Sequence, residues 1–104
     1  MTKDELTAWA LAHGWTMHAG MPSLLKPARP GSTAKPEPVI RMVLKATVVH
    51  IEAKKPAGKW EKFTGAAYAA VVATEDGMPS GLQLETVPAI RQLMQENRDR
   101  QVFG

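Results

Sequence analysis

The sequence predicts a single α+β domain over residues 1–104, in which a mainly antiparallel sheet of four or five strands carries an N-terminal and a C-terminal helix on one face. Amphipathic patterns with capping residues lie near both ends of the chain, which indicates two helices. The segments between them have the alternation and turn residues of antiparallel strands. The apolar fraction of 44% and the charged fraction of 22% are typical of a folded domain.

The first helix is expected at about residues 3–13. Thr2 and Glu5 have the spacing of a capping box, in which each side chain accepts a hydrogen bond from the other residue's backbone. Gly14 is suited to the left-handed residue that ends a helix. One face of this helix carries Leu6, Trp9, Ala10 and His13.

A short hairpin is expected next, from residue 15 to residue 26, with its turn at Ala-Gly-Met-Pro. The following residues 27–38 are rich in proline, which lacks a backbone donor and restricts the residue before it. We therefore predict a flexible proline-rich loop at 27–38.

Residues 39–53 contain no glycine, proline, asparagine or aspartate; every even position from Ile40 to Val48 is apolar, whereas from Val49 onwards the apolar positions are odd. Helical spacing also fits this stretch, but β-branched residues are frequent in it and favour a strand. Because strand side chains alternate between faces, the change of parity predicts a bend or an extra residue. We expect one long, bent central strand.

Lys55-Pro-Ala-Gly-Lys59 has the residues of a three-residue hairpin loop. The register that follows pairs Lys54 with Trp60, Glu52 with Lys62 and Ile51 with Phe63. If the central strand bends, Trp60 faces away from the core; if it runs straight, Trp60 lies within the core.

The last third of the chain is expected to contain a short helix at 65–74, with a strand as the alternative, then a turn at 76–79 and an edge strand at Leu82–Glu85. Thr86 is predicted to cap a final helix at about 87–99, with a buried face of Val87, Ile90, Leu93 and Met94. The string Gly-Met-Pro-Ser occurs at 20–23 and again at 77–80, and we interpret it as two similar turns that lead into strands.

Several function classes lack their sequence signals. The chain has no cysteine, and its three histidines do not have the spacing of metal ligands on one helix. No nucleophile elbow, Walker A motif or dinucleotide fingerprint is present. We expect no catalytic residues, no metal and no cofactor, and hence a protein that is not an enzyme. Without a long apolar run we expect no membrane contact, and the absence of cysteine favours a cytoplasmic location.

The basic hairpin 54–62 is the strongest functional signal. Residues 39–65 carry six Lys or Arg against two Glu, which indicates a positive patch. A tryptophan among cations is suited to single-stranded nucleic acid, since charges bind phosphates and the ring stacks on a base. The predicted polyanion-binding residues are Lys54, Lys55, Lys59, Trp60, Lys62 and His50.

Two hypotheses on function follow from the sequence. The first is a non-catalytic interaction domain that binds a partner protein or a second copy of itself as a homodimer, through a free strand edge and the proline-rich loop. The alternative is weak binding of single-stranded nucleic acid or another polyanion through the basic hairpin.

Overall fold

The structure is a computed structural model that describes residues 1–26, 31, 33, 35–75, 77–84 and 86–103, with the side chain of residue 103 left out. Strands β1 to β5 form one antiparallel sheet in chain order, and β6 pairs with β7 in a separate small ladder. This architecture confirms the predicted α+β class. The elements are α1 Lys3–Ala12, β1 Thr16–His18, β2 Met21–Lys26, β3 Glu37–Leu44, β4 Val48–Lys54, β5 Trp60–Ala67, a 3-10 helix at Tyr68–Ala70, β6 Val72–Ala73, β7 Pro79–Ser80 and α2 Pro88–Phe103.

Helix α1 begins with the predicted capping box. The Thr2 hydroxyl oxygen accepts from the Glu5 N–H at 3.1 Å, and Glu5 Oε1 accepts from the Thr2 N–H at 3.0 Å. The hydrogen bonds from Thr2, the backbone one first, lower the pKa of the Glu5 carboxyl below its usual value. The helix ends at Ala12, and Gly14 two residues later has a φ of +96°, in the left-handed region.

The β1–β2 hairpin is confirmed with a tighter turn than expected. Ala19 and Gly20 alone form the turn, with φ of +51° and +80°, since His18 already pairs with Met21. Positive φ at both positions is the type I′ pattern, whose twist matches that of antiparallel strands.

The two Gly-Met-Pro-Ser strings do lead into strands. Gly20 and Gly77 both have φ of +80°, and the strings continue into β2 and β7. The prolines that follow, Pro22 and Pro79, are both fully buried. The two strings therefore share a left-handed glycine followed by a buried proline, but their turns differ, since the Gly77 N–H donates to the Thr74 carbonyl oxygen at 2.9 Å and the Thr74 N–H to that of Met78.

The prediction of one long strand over 39–53 is wrong, because the chain reverses at Lys45–Thr47 and forms two strands. The Lys45 N–H donates to the Val48 carbonyl oxygen at 2.9 Å and closes this turn. Met42 then pairs with Ile51, and Leu44 with Val49. Even positions of β3 therefore share the core face with odd positions of β4, and this pairing is the origin of the change in parity.

The predicted loop at 27–38 falls partly outside the described residues, since positions 27–30, 32 and 34 are not among them. At its C-terminal end the prediction is wrong, because strand β3 already begins at Glu37. Pro38 is accommodated there opposite Leu25, beside an irregularity between Leu24 and Leu25 in the β2–β3 register.

The predictions for 65–74 and 82–85 also need correction. Strand β5 continues to Ala67, and a 3-10 turn and β6 take the place of the predicted helix. Leu82 and Leu84 are fully buried around Gln83, whose φ is +58°, so they are core residues and not an edge strand. Position 85 lies outside the described residues.

Helix α2 runs four residues further than predicted, and its apolar face enters the same core as α1. The buried apolar residues are Leu6, Trp9, Ala10, Trp15, Leu24, Met42, Val49, Ile51, Val71, Leu82, Leu84, Ile90 and Met94. Val87 and Leu93, also predicted for this face, are partly buried against that core.

Asn97 joins α2 to strand β2 at Leu25, opposite the residues that precede β1. Its Oδ1 accepts from the Leu25 N–H at 3.0 Å, and its Nδ2 donates to the Leu25 carbonyl oxygen at 3.1 Å. The Leu25 carbonyl oxygen also accepts from Arg100 Nη2 at 2.9 Å. A side-chain amide thus satisfies the backbone groups that a longer β1 would have paired.

Candidate functional site

The sheet face opposite the core carries the predicted hairpin residues. Val49 and Ile51 of β4 are fully buried in the core, so the alternate residues His50, Glu52 and Lys54 face the other way. All three are half-buried. Their neighbours on β3 and β5 extend the same face, which we call the outer sheet face.

The predicted register of the basic hairpin is confirmed close to its loop. Lys54 pairs with Trp60, and Glu52 pairs with Lys62. Trp60 is therefore on the outer sheet face, half-buried, with Lys54 beside it.

Beyond Lys62 the register differs from the prediction. Ile51 pairs with Thr64 and not with Phe63, because the β4–β5 register shifts by one residue there. Phe63 is the extra residue of this bulge, and its side chain is 43% exposed. The sequence did not indicate this bulge, since the change of parity in residues 39–53 comes from the β3–β4 turn.

Arg41 belongs to the site and was missed from the sequence. Its guanidinium lies 4.0 Å from the centroid of the Trp60 ring, a cation–π contact. Its Nε donates to Glu52 Oε1 at 2.7 Å, and its Nη2 lies at the same distance from that oxygen. Recognising the β3–β4 hairpin would have revealed Arg41, since it pairs directly with Glu52.

The lysines of the hairpin fall into two groups. Lys55 Nζ lies 2.7 Å from Glu61 Oε2, and Lys54 Nζ lies 3.8 Å from Glu37 Oε2. Neither Lys59 nor Lys62 takes part in an ion pair within the described residues. Beside the hairpin lies a hollow of about 290 Å³, lined by Ala53, Lys54, Lys55, Glu61, Lys62 and Phe63.

His50 lies in a positive environment on the outer sheet face. Desolvation lowers the pKa of its imidazole, and the charges of Lys62 and Lys45 lower it further, while Glu52 opposes them. Gly65, which pairs with His50, has no room for a side chain, since a Cβ there would lie 2.9 Å from His50 Cδ2. The neutral imidazole is thus favoured next to Lys62.

The side chains that could bind a metal ion do not cluster in the described part of the chain. Within the described ranges, no three His, Asp or Glu side chains are grouped so that they could hold a metal ion. Neither helix is long and apolar enough to cross a membrane in the part of the chain that the structure covers. The absence of catalysis and the cytoplasmic location stay predictions.

No family model matches the chain, and neither a curated protein nor a solved structure shows significant similarity to it. The case for function therefore depends on the chemistry of the surfaces described above.

Proposed function

We propose that this protein is a non-catalytic binding domain whose outer sheet face binds single-stranded nucleic acid. The observation that supports this most strongly is the position of Trp60, half-buried on a sheet face with the Arg41 guanidinium stacked on its ring and Lys54 and Lys62 on neighbouring positions. Aromatic platforms flanked by cations bind bases and phosphates together, with little dependence on sequence.

The ion pairs on this face are compatible with phosphate binding. Lys55–Glu61 is an exposed pair, and Lys54–Glu37 joins a half-buried lysine to an exposed carboxylate; ion pairs at the surface contribute only about 0–1 kcal/mol. A phosphate can therefore replace the carboxylate at little cost in free energy. The Arg41–Glu52 pair is more buried and keeps the guanidinium against Trp60, where it orients the ring.

This proposal puts nucleic-acid binding, the alternative from the sequence, ahead of the protein-interaction hypothesis. The interaction hypothesis depended on a long strand, on a free edge at Leu82–Glu85 and on the proline-rich loop, part of which lies outside the described residues. The first is a hairpin, and Leu82 and Leu84 are buried in the core.

Titration with a ten-residue oligothymidine tests the proposal. Trp9 and Trp15 are 7% and 1% exposed, so quenching of tryptophan fluorescence by the oligonucleotide reports mainly on Trp60. If about three phosphates are bound, log K should fall with log salt at a slope of about −2. Trp60→Leu, which lacks this reporter and is followed by the anisotropy of a dye-labelled oligothymidine, should weaken binding about tenfold, since one base stack contributes about 1–3 kcal/mol.

Two further variants distinguish binding at the outer sheet face from nonspecific attraction to any surface lysine. Lys59→Ala/Lys62→Ala should lower both the affinity and the salt slope. Lys3→Ala removes an exposed lysine from α1, on the other side of the sheet, and should change neither. Absence of binding at low salt, or equal loss in the Lys3 variant, would rule out the proposal.

Self-association through β5 is a second candidate. This strand is the last in the sheet, so one of its edges is unpaired in the described part of the chain. Lys62 and the bulge at Phe63 interrupt the first half of the edge, as native edge strands commonly do. Residues 64–67 carry no charge, which leaves a short segment suited to antiparallel pairing with a second copy.

Light scattering after size exclusion tests this second candidate. We expect a dimer fraction that increases with protein concentration and is lost in Ala67→Lys, which places a charge on the exposed end of β5. Ala69→Lys puts the same charge on the exposed 3-10 turn and should leave the dimer intact. A wild-type protein that stays monomeric at millimolar concentration contradicts self-association.

A further inference from the structure

A second potential binding site lies away from the outer sheet face, where the end of α1 meets α2 and the β6–β7 hairpin. It is a cleft of about 330 Å³, a volume within the range of small-molecule sites. Its lining combines cationic, polar and thioether side chains, namely His13, Thr74, Met78, Arg91, Met94, Gln95 and Arg98.

Helix α2 supplies most of the polar groups from one face. Arg91, Gln95 and Arg98 are spaced by four and three residues, so they follow one another along the same side of the helix. All three side chains are exposed, and neither arginine takes part in an ion pair within the described ranges. No carboxylate is found among the described lining residues.

His13 is held in one orientation at the other wall of the cleft. Its ring stacks on Trp9 with centroids 4.7 Å apart and an angle of 17° between the planes. Its Nδ1 lies 2.7 Å from the Trp9 carbonyl oxygen, to which it must donate because a carbonyl only accepts. The Nε2 nitrogen is therefore the one left for a ligand.

Close approach of the backbone brings the two walls together. A Cβ on Gly14 would lie 2.8 Å from both the Met94 carbonyl oxygen and Arg98 Cγ. Only glycine allows the end of α1 to contact α2 at this distance, with the φ of +96° that it adopts. His13 and Arg98 thus lie on facing walls of one cleft.

We propose that this cleft binds a small phosphate monoester that carries an apolar group. Two guanidiniums, an amide and a hydroxyl supply more donors than a carboxylate can accept, and arginine forks match phosphate oxygens. Met78 and Met94 provide adaptable apolar surface for the rest of the molecule. This site is separate from the proposed nucleic-acid face and does not depend on it.

Phenyl phosphate is the probe for the test, because it joins a phosphate to a ring of suitable size. We expect binding by calorimetry, with phenol and inorganic phosphate each binding at least about tenfold more weakly, since each lacks half of the contacts. In protein labelled at the methionine methyl groups, the signals of Met78 and Met94 should shift on addition of phenyl phosphate.

Arg91→Met and Arg98→Met keep most of the apolar stem and remove the charge from exposed positions, so both variants should fold. Each should weaken phenyl phosphate binding about tenfold, the loss expected for a charge-assisted hydrogen bond. Lys62→Ala, on the outer sheet face, should leave phenyl phosphate binding unchanged and weaken oligothymidine binding only.

Three results would overturn this proposal. They are no phenyl phosphate binding at millimolar concentration, equal affinity for phenol, or unchanged affinity in both arginine variants. Binding of oligothymidine without binding of phenyl phosphate would refute the proposal for this cleft and leave the nucleic-acid proposal in place.

Discussion

Replacing Asn97 tests how α2 is joined to the sheet. The Asn97 side chain is 3% exposed and makes three hydrogen bonds, two to the Leu25 backbone and one to the Leu93 carbonyl oxygen at 2.7 Å. Asn97→Ala removes all three and leaves the Leu25 N–H without this partner. The Leu25 carbonyl oxygen keeps its hydrogen bond from Arg100.

The magnitude follows from those bonds. At about 1 kcal/mol net for each hydrogen bond, the free energy of unfolding should fall by about 3 kcal/mol. This is a large share of the roughly 5–15 kcal/mol that stabilises a domain. With a urea dependence of about 1.5 kcal/mol per molar, the unfolding midpoint should fall by about 2 M.

Urea unfolding followed by tryptophan fluorescence measures this change, since Trp9 and Trp15 are buried in the core. Gln92→Ala is the matched control: Gln92 is exposed on the same helix and bonds only to Glu96 in the described structure. Gln92→Ala should change the free energy of unfolding by less than about 0.5 kcal/mol. Equal midpoints for the Asn97 and Gln92 variants would refute the role assigned to Asn97.

Three further predictions concern single positions. Gly14→Ala should cost clearly more stability than Gly58→Ala in thermal unfolding, since both glycines have positive φ but only Gly14 has neighbours within 4 Å of a new Cβ; equal losses would contradict the close contact with α2. Ala19→Asn should stabilise the protein by about 0.5–1 kcal/mol, because asparagine tolerates the φ of +51° better than alanine. By NMR titration the pKa of His50 should lie below 6.5, chiefly through desolvation and then through the charge of Lys62. Because the unfolded chain then takes up the proton more readily, the free energy of unfolding should fall as the pH drops below 6.5. Lys62→Met should raise the pKa of His50, and an unchanged pKa would contradict the role given to Lys62.

The parts of the fold that could be predicted are those with a local signal. Thr2 and Glu5 indicate the start of α1, and Pro-Ala-Gly at 56–58 indicates the turn between β4 and β5. Each carries its own stereochemistry, which tertiary contacts do not need to supply.

The β3–β4 turn had no such signal. Ala46 and Thr47 are ordinary residues with φ outside the positive range, so no glycine or asparagine is required there. What supports this turn is distant in sequence: the Tyr68 hydroxyl donates to the Lys45 carbonyl oxygen at 2.7 Å, and the Tyr68 N–H donates to the Thr47 carbonyl oxygen at 3.3 Å. Because this support is tertiary, the parity change was the only local trace of the turn.

The candidate site could likewise be predicted only where a local turn signal fixed the register. Lys54, Trp60 and Lys62 followed from the register next to a recognisable loop. Arg41 could be assigned to the site only by recognising the β3–β4 turn, which brings it opposite Glu52. Neither the cleft between α1 and α2 nor its arginines could be found, because contacts between distant helices leave no periodic pattern in the chain.

The order of strands in the sheet has a consequence for folding kinetics. Since β1 to β5 are neighbours in both sequence and space, their pairing closes mostly short loops, which is fast. The Asn97–Leu25 contact joins residues 72 positions apart, so we expect it to form after the folding transition state. Asn97→Ala should then accelerate unfolding and leave the folding rate nearly unchanged in stopped-flow experiments. A protein of this kind would owe its lifetime in the folded state to the last helix of the chain.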